Sequence, residues 1–427
     1  MKSHDLIALE DSFGAHNYHP LDVVISRAEG CWVWDVEGRR FLDMLAAYSA
    51  VNQGHCHPKL VETMREQIPR LTLTSRAFRN DLLGPFYKFI TELTGFEKCL
   101  PMNTGAEAVE TAIKAARKWA YTKKGVPDGE AEIFVFDNNF HGRTTTIVGF
   151  SSEEQYKQGF GPFTPGFRCV PYGNIEAIEK AMHPNVAAML IEPIQGEAGI
   201  IIPPDGFLAD LRALCDKHNT LLICDEIQSG LGRTGRMFAY EHDEIRPDIV
   251  IIGKALSGGF YPVSAILADD EVMDVFKPGD HGSTYGGNPV AAIIAMEALK
   301  ILVDDKLIER SDELGTYAIN RLKKLETETS TVKEVRGKGL WIGVELHDEA
   351  GGARPFCEAL EHRGVLCKET HDNVIRIAPP LVISREDLDW GLQHIEEVLR
   401  GEATRVPETA EQELEFAAGA ATAAASG

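Results

Sequence analysis

The chain has 427 residues, 44% hydrophobic and 25% charged, the make-up of a soluble globular protein too long for one ordinary core. A formal net charge of −22 and a pI near 5.1 argue against nucleic acid or an anionic membrane as the main partner. No run is apolar for long enough to span a bilayer, and the opening MKSHDLIALEDSFG has neither a signal-peptide apolar core nor an Arg-rich transit helix, so a cytoplasmic protein is expected. The eight cysteines are scattered, several within apolar runs, which suits reduced core thiols better than a disulfide framework.

Residues 1–49 carry GAHNYHPLDVV and then CWVWDVEGRRFLDMLAAYSAVNQGH, where strand-like alternation around the turn Glu37-Gly38 predicts a small hairpin. Tyr18 and Tyr48 stand in this segment, and pattern alone reads them as ordinary aromatics. HCHP at 55–58 offers two histidines without further ligands nearby and is read as a turn, not a metal site. In MNTGAEAVETAIKAARKWAYTKKG, Val109, Ile113, Ala116 and Ala120 recur at helical spacing, Thr104 is the expected N-cap and Glu107 completes a capping box. Gly105 and Ala106 leave the first-turn amides open to a phosphate, although a well-capped structural helix explains the pattern as well.

From about 131 to 254, short apolar runs alternate with helical segments: EIFVFDNNFHGR, AAMLIEPIQGE, LLICDEIQSG and PDIVIIGK. This predicts an α/β fold whose mostly parallel sheet is flanked by helices. Ligands bind outside the carboxyl ends of strands in such sheets, so Phe140, His141, Arg143, Glu192, Glu197, Asp225, Gln228 and Lys254 should face one cleft. Lys254 ends the last apolar run. A strand-end lysine commonly snorkels to water, but a desolvated amine has a lowered pKa and is nucleophilic at neutral pH. Asp225 lies 29 residues earlier, about one strand-helix-strand unit. Alone it reads as a cap or an ion-pair partner. Together the two match what pyridoxal phosphate chemistry needs, an amine to form the imine and an acid to keep the pyridine nitrogen protonated.

GLGRTG at 230–235 matches the dinucleotide fingerprint, yet Asp225-Glu226-Ile227-Gln228 separates it from the strand and FAYEHDEIRP makes a poor start for the required helix. After Lys254, DHGSTYGGNPVAAIIAMEALKIL reads as a glycine-rich loop before a long apolar helix, with Ser283 and Thr284 available to a phosphate or to turn capping. Charged helices and short strands follow to about 400, where Arg376 lies in a strand and would ordinarily be an ion-pair partner. The expected organisation is an N-terminal segment 1–49 packing with the small domain, a large domain 50–290, a small α+β domain 291–400 and a compositionally disordered tail 401–427.

The motifs GAHNYHPL, SAVNQGHCHP, NTGAEA, FHGR, EPIQGEAG, DEIQSGLGRTG, GKALSGG, STYGGNP and RIAPPLVI resemble those of the class III pyridoxal-phosphate-dependent aminotransferases over about residues 10–400. Within that family the likeness is greatest to members that act on ornithine. The resemblance implies fold type I, pyridoxal 5'-phosphate as cofactor, no metal, and a homodimer or higher oligomer with shared active sites. It implies that Lys254 is the Schiff-base lysine, that Asp225 pairs with the pyridine nitrogen, and that Gln228 hydrogen-bonds the phenolic oxygen. Phe140 and Ile227 would cover the two ring faces, with His141 and Ser283 also among the cofactor-binding residues. Gly105 and Ala106 would hold the phosphate, joined by Thr284 of the partner subunit; Ala106 takes a place where valine is common in the family.

For the substrates, ornithine and 2-oxoglutarate, the resemblance assigns Tyr18 and Arg143 to the α-carbon end of ornithine, with Tyr48 shaping the pocket between. Glu197 would neutralise Arg376 while ornithine is bound and move aside for 2-oxoglutarate. The implied reaction moves the δ-amino group of L-ornithine to 2-oxoglutarate. Other members act on N-acetylornithine, 4-aminobutyrate or lysine, against which Tyr18 together with Tyr48 argues. A glutamate-1-semialdehyde mutase and a non-catalytic binding protein are more distant alternatives, and the latter would more readily have lost Lys254 or Asp225.

Overall fold

The computed structural model of the protein describes residues 1–401, so the tail expected beyond that point lies outside the described residues. Near the N-terminus, β1 (Ile25–Glu29), β2 (Trp32–Asp35) and β3 (Arg40–Asp43) form an antiparallel meander whose β2–β3 turn is the expected hairpin. Asp35 closes it, accepting from the amides of Glu37 and Arg39 at 3.0 and 2.8 Å. A helix over Ser3–Phe13 precedes the meander and was not expected; it buries no residue, so no apolar stripe marks it.

The central sheet comprises β4 (Lys98–Met102), β5 (Glu132–Phe136), β6 (Phe167–Val170), β7 (Val186–Ile191), β8 (Leu221–Asp225), β9 (Ile249–Ile252) and β10 (Ser264–Ala268). Its order is β4-β10-β9-β8-β7-β5-β6, with β10 antiparallel to both neighbours and the other pairings parallel. The apolar runs are continuous because both faces are covered. On β7, Ala188 and Leu190 enter the core under the helix Gly105–Trp119, while Met189 and Ile191 enter the core that contains Phe207 and Leu211 of the helix Phe207–Lys217. Leu190, Met189 and Ile191 each contribute roughly 1.5–3 kcal/mol by leaving water, and the smaller Ala188 less. Val109, Ile113, Ala116 and Ala120, the expected inner stripe, are all buried, and Thr104 with Glu107 forms the capping box.

The central sheet departs from the four runs read in the sequence by an unnamed edge strand and by one expected helix that is absent. The edge strand β6 escapes the pattern because two of its four residues are exposed, which breaks the apolar run. Between Asp225 and Lys254 the connection holds only a short 3-10 turn, Ala239–Asp243, in place of a helix. GLGRTG fills that connection as a chain of turns and no α-helix follows it before β9, so it builds no dinucleotide site.

Toward the C-terminus, β11 (Val332–Lys338), β12 (Trp341–Leu346), β14 (Lys368–Thr370) and β15 (Val374–Ile377) form a second sheet in the order β11-β12-β15-β14. The run GVLCKE is split: β13 (Val365–Leu366) leaves this sheet and pairs in parallel with β3. All eight cysteines are free thiols.

Arg233 of GLGRTG joins these parts. Fully buried, it donates to the carbonyls of Leu340 and Pro379 at 2.8 and 2.7 Å and to Asn52 Oδ1 at 2.5 Å. Pro379 lies two residues past β15, so this cation fixes the central connection against the strand that carries Arg376. Arg233→Met should leave those acceptors buried and unpaired and cost roughly 3 kcal/mol or more. Urea denaturation measures it, and an unchanged unfolding free energy would contradict this role.

Candidate active site

Lys254 lies just past the end of β9, where the chain turns sharply into a 3-10 turn over Lys254–Ser257. Its φ of +44° is left-handed, unusual for a residue with a side chain and of the kind that functional sites retain. Its amine hydrogen-bonds no described residue. Burial pushes its pKa down, against the upward pull of Glu197 and Asp225, while Arg376 pushes it down further. Glu192 also acts on it, so residues that follow β7 and end β8 reach this one amine, as the strand-end argument expected, and Arg376 joins them from within β15 of the second sheet.

Asp225 ends β8 with both carboxylate oxygens engaged: Oδ2 lies 2.7 Å from His141 Nδ1, and Oδ1 accepts from the Ile227 amide at 3.1 Å. Burial lowers the His141 pKa, but its bond and charge interaction with Asp225 outweigh burial and leave it raised. The imidazole therefore holds the carboxylate in one orientation. Glu192, on the same side, is pushed up to about 7 by burial; it accepts from the amides of Phe140 at 2.9 Å and Gly196 at 3.3 Å. It thus ties the FHGR loop to the loop that carries Glu197.

The decisive contact is between Glu197 and Arg376. Arg376 Nη1 and Nη2 donate to Glu197 Oε1 and Oε2 at 3.0 and 3.1 Å, a two-point pair, and the arginine side chain is only 1% exposed. Burial would raise the Glu197 carboxyl, yet Arg376, with Lys254 and Arg143 further away, holds it below its ordinary value. The Thr370 hydroxyl on β14 fixes the Glu197 backbone by donating to its carbonyl. Tyr48 lies under the guanidinium, 5.1 Å from ring centre to Arg376 Cζ.

Tyr48 is delivered by an unusual turn. Ala46, Ala47, Tyr48 and Ser49 have φ of +49°, +47°, +58° and +70°, four successive left-handed residues without a glycine. At roughly 1–2 kcal/mol apiece, such backbone persists only when the surroundings impose it. Asp43 Oδ1 does so at the entry, accepting from the amides of Leu45 and Ala46 at 2.8 and 2.9 Å.

Arg143 is exposed and stacks on Tyr156 and Phe140, with Cζ 4.1 and 5.6 Å from the ring centres. Tyr18 stands apart from the packed residues: it is 79% exposed, in the coil between the N-terminal helix and β1, yet near enough to Tyr48 to act on its phenol. At the other end of the cleft, Ile227 packs on Gly105, where a side chain would meet Ile227 Cδ1 at 2.9 Å. Gly142, with φ of +126°, lies against Ala106, and a Cβ there would meet the Ala106 Cβ at 2.9 Å. Ser283 Oγ accepts from Asn103 Nδ2 at 2.9 Å beside that helix start, whereas Thr284 is exposed.

These residues fit pyridoxal 5'-phosphate. The buried Nε2 atoms of Gln228 and His141 lack hydrogen-bond partners, the Lys254 amine is unengaged, and the amides of Gly105 and Ala106 precede the helical ladder where an anion binds. Sequence reasoning named most of this set. It missed the left-handed turn at Tyr48, Thr370 and Tyr156, none of which has a local pattern, and it did not foresee that His141 would meet Asp225.

The Glu197–Arg376 pair has a definite pH signature. Because the folded pKa of Glu197 is below its unfolded value of about 4.3, the pair stabilises fully above that value and its contribution is lost as pH falls through the folded pKa. Glu197→Gln should therefore have a lower Tm than wild type at neutral pH, with the gap closing in acid below the unfolded pKa. A gap that stays constant across that range would contradict the pairing.

The family model for aminotransferase class-III matches residues 13–399. The chain is 57% identical over 399 residues to an ornithine aminotransferase of Bacillus subtilis, covering 93% of this chain and 98% of that one. It also resembles the solved ornithine aminotransferase of Toxoplasma gondii, at a TM-score of 0.92 and 44% identity over 93% of this chain and 94% of that one. That structure shows partial occupancy of PLP at the protein active site. The acetylornithine aminotransferase of Elizabethkingia anophelis matches at a TM-score of 0.85 and 49% identity, over 93% of this chain and 99% of that one. With a mostly parallel sheet, a lysine and a carboxylate at adjacent strand ends, and a family match across nearly its whole described length, the chain belongs to the class-III aminotransferases.

Proposed function

We propose that the protein transfers the δ-amino group of L-ornithine to 2-oxoglutarate, giving L-glutamate and L-glutamate 5-semialdehyde, which cyclises to a pyrroline carboxylate. The observation that carries this reading is the two-point pair between Glu197 and buried Arg376 beside Lys254. An arginine left free there would draw every α-carboxylate toward the reacting centre and favour amino acids that react at their α-amine. Neutralised by Glu197, it tolerates a substrate whose reacting end is a bare CH₂–NH₂. Glu197 is 28% exposed and can move, whereas Arg376 is fixed in β15, so the carboxylate is the moving part when 2-oxoglutarate arrives.

Bound pyridoxal phosphate supplies an aldehyde carbon that receives the amino group and a ring that draws electron density from the substrate carbon. Lys254 holds the cofactor at rest and moves a proton at the substrate δ-carbon, which its lowered pKa favours. Asp225, oriented by His141, keeps the pyridine nitrogen protonated. Phe140 and Ile227 would cover the ring, and Gln228, whose buried Nε2 has no partner among the described residues, would donate to the phenolic oxygen. Gly105 and Ala106 offer amides to the phosphate, with Ser283 close by and Thr284 of the partner subunit completing the site. Arg143 takes the ornithine α-carboxylate in its planar fork and Tyr18 meets the α-amine, with Tyr48 lining the space between.

A homodimer is part of this reading. The exposed loop with Thr284 and the half-exposed Tyr285, together with exposed Phe78, supports a second copy covering this side. A cytoplasmic location suits the reduced thiols, and among the described residues no helix is long and apolar enough to cross a membrane. The likeness to the Elizabethkingia anophelis protein supports a second reading, with N-acetylornithine as donor. The two donors differ only at the far end, where an amide replaces the cationic α-amine.

Ornithine carrying heavy nitrogen at the δ position tests the assignment. Label should appear in glutamate, with a pyrroline carboxylate as the carbon product, and acetylornithine should show a kcat/KM at least about tenfold lower, equivalent to roughly 1.4 kcal/mol of transition-state binding. Label retained in an α-keto acid, or acetylornithine as the faster donor, would overturn it.

A further inference from the structure

The segment that carries Tyr18 has little to hold it. Residues 14–24 are coil between the N-terminal helix and β1, and residues 14–20 are all exposed. Among the described residues, the hydrogen bonds that reach residues 14–23 from beyond residue 24 come from two side chains. Arg354, at the start of the helix Arg354–His362, donates from Nη1 to the His19 carbonyl at 3.2 Å and from Nη2 to the Pro20 carbonyl at 2.9 Å. Lys368 on β14 reaches the His19 carbonyl at 3.5 Å. Arg354 is itself braced, with Nε bonded to Glu358 at 2.8 Å and Nη1 near Glu369 at 3.3 Å.

The chemistry of these contacts is specific. A guanidinium is a rigid planar fork, so it can serve two successive carbonyls and fix the direction of the chain as well as its distance. The two carbonyls immediately follow Tyr18, so their direction sets where that side chain starts. Neighbouring residues of the same small sheet hold the other half of the cleft: Thr370 on β14 holds the Glu197 backbone, and Arg376 on β15 holds its carboxylate. The strap and the Glu197 loop therefore both contact β14, through Lys368 and Thr370.

We propose that Arg354 is a positioning residue that sets donor specificity by clamping the Tyr18 strap over the far end of the cleft. This rests on the assignment of Tyr18 to the ornithine α-amine. Glutamate is the natural control, since at the far end it presents a γ-carboxylate to Arg143 and no amine to Tyr18.

The test follows the ornithine and glutamate half-reactions of the holoenzyme by cofactor absorbance in wild type, Arg354→Ala, Arg354→Lys, Tyr18→Ala and the double variant. Arg354→Ala should lower the ornithine kcat/KM about tenfold, through KM more than kcat, and the glutamate value less than about twofold, because misplacement alone costs up to about a hundredfold. Arg354→Lys keeps the charge beside Glu358 and Glu369, so it should fold as wild type and fall between the two. In the double variant the loss should match that of Tyr18→Ala alone, since the two residues act as one unit. Equal losses in both half-reactions, or additive losses in the double variant, would overturn the clamp while leaving the Tyr18 assignment standing. A Tyr18→Ala enzyme with an unchanged ornithine-to-glutamate ratio would overturn that assignment instead, and the clamp with it.

Discussion

A guanidinium buried in a β-strand cannot stand alone. Removing a charge from water costs several kcal/mol, and only a well-placed opposite charge with full hydrogen bonding offsets that cost. Arg376, fixed in β15 and almost wholly covered, meets this constraint through the two-point contact with Glu197. Much of the cleft is arranged around the pair. Thr370 holds the glutamate backbone, Tyr48 lies under the arginine on a strained left-handed turn, and Arg233 locks the β8–β9 connection to the chain just past β15. One partner is rigid and the other is partly exposed, which is the asymmetry that a reversible mask needs.

The central sheet brings chemistry to the same place by a different route. Parallel strands buried on both faces have only their ends free for polar residues, so Asp225, Glu192 and Lys254 arrive together without long excursions of the chain. Their mutual influence follows from that geometry. Burial lowers the lysine pKa and raises that of Glu192, while His141 and Asp225 fix one another. An amine, an oriented carboxylate and a helix start with open first-turn amides suit a cofactor that carries a phosphate, an aldehyde and a basic ring nitrogen.

Much of this was legible in the chain. The continuous runs around Leu190, Ile223 and Ile251 mark strands covered on both faces, and Thr104 with Glu107 marks the start of the helix Gly105–Trp119 through local capping chemistry. What escaped depends on contacts distant in sequence. Nothing near His141 indicates that its ring meets a carboxylate 84 positions later, and nothing near Thr370 points to Glu197. The AAYS turn is hidden for another reason. Its residues have no left-handed preference, and the conformation is imposed from outside by Asp43 and by packing. The missing helix between β8 and β9 is a case of tertiary override, in which buried Arg233 and Glu226 organise a connection that length alone suggested should be helical.

The masking of Arg376 is tested most directly by Glu197→Ala, with each half-reaction of the holoenzyme measured separately. If Glu197 neutralises the arginine for ornithine and steps aside for the dicarboxylate, the variant should lose kcat/KM in the ornithine half-reaction by about tenfold or more while the glutamate half-reaction is kept or improved, a change in ratio worth at least roughly 1.4 kcal/mol. Equal effects on the two half-reactions would mean that the pair seen between Glu197 and Arg376 is structural and selects no substrate.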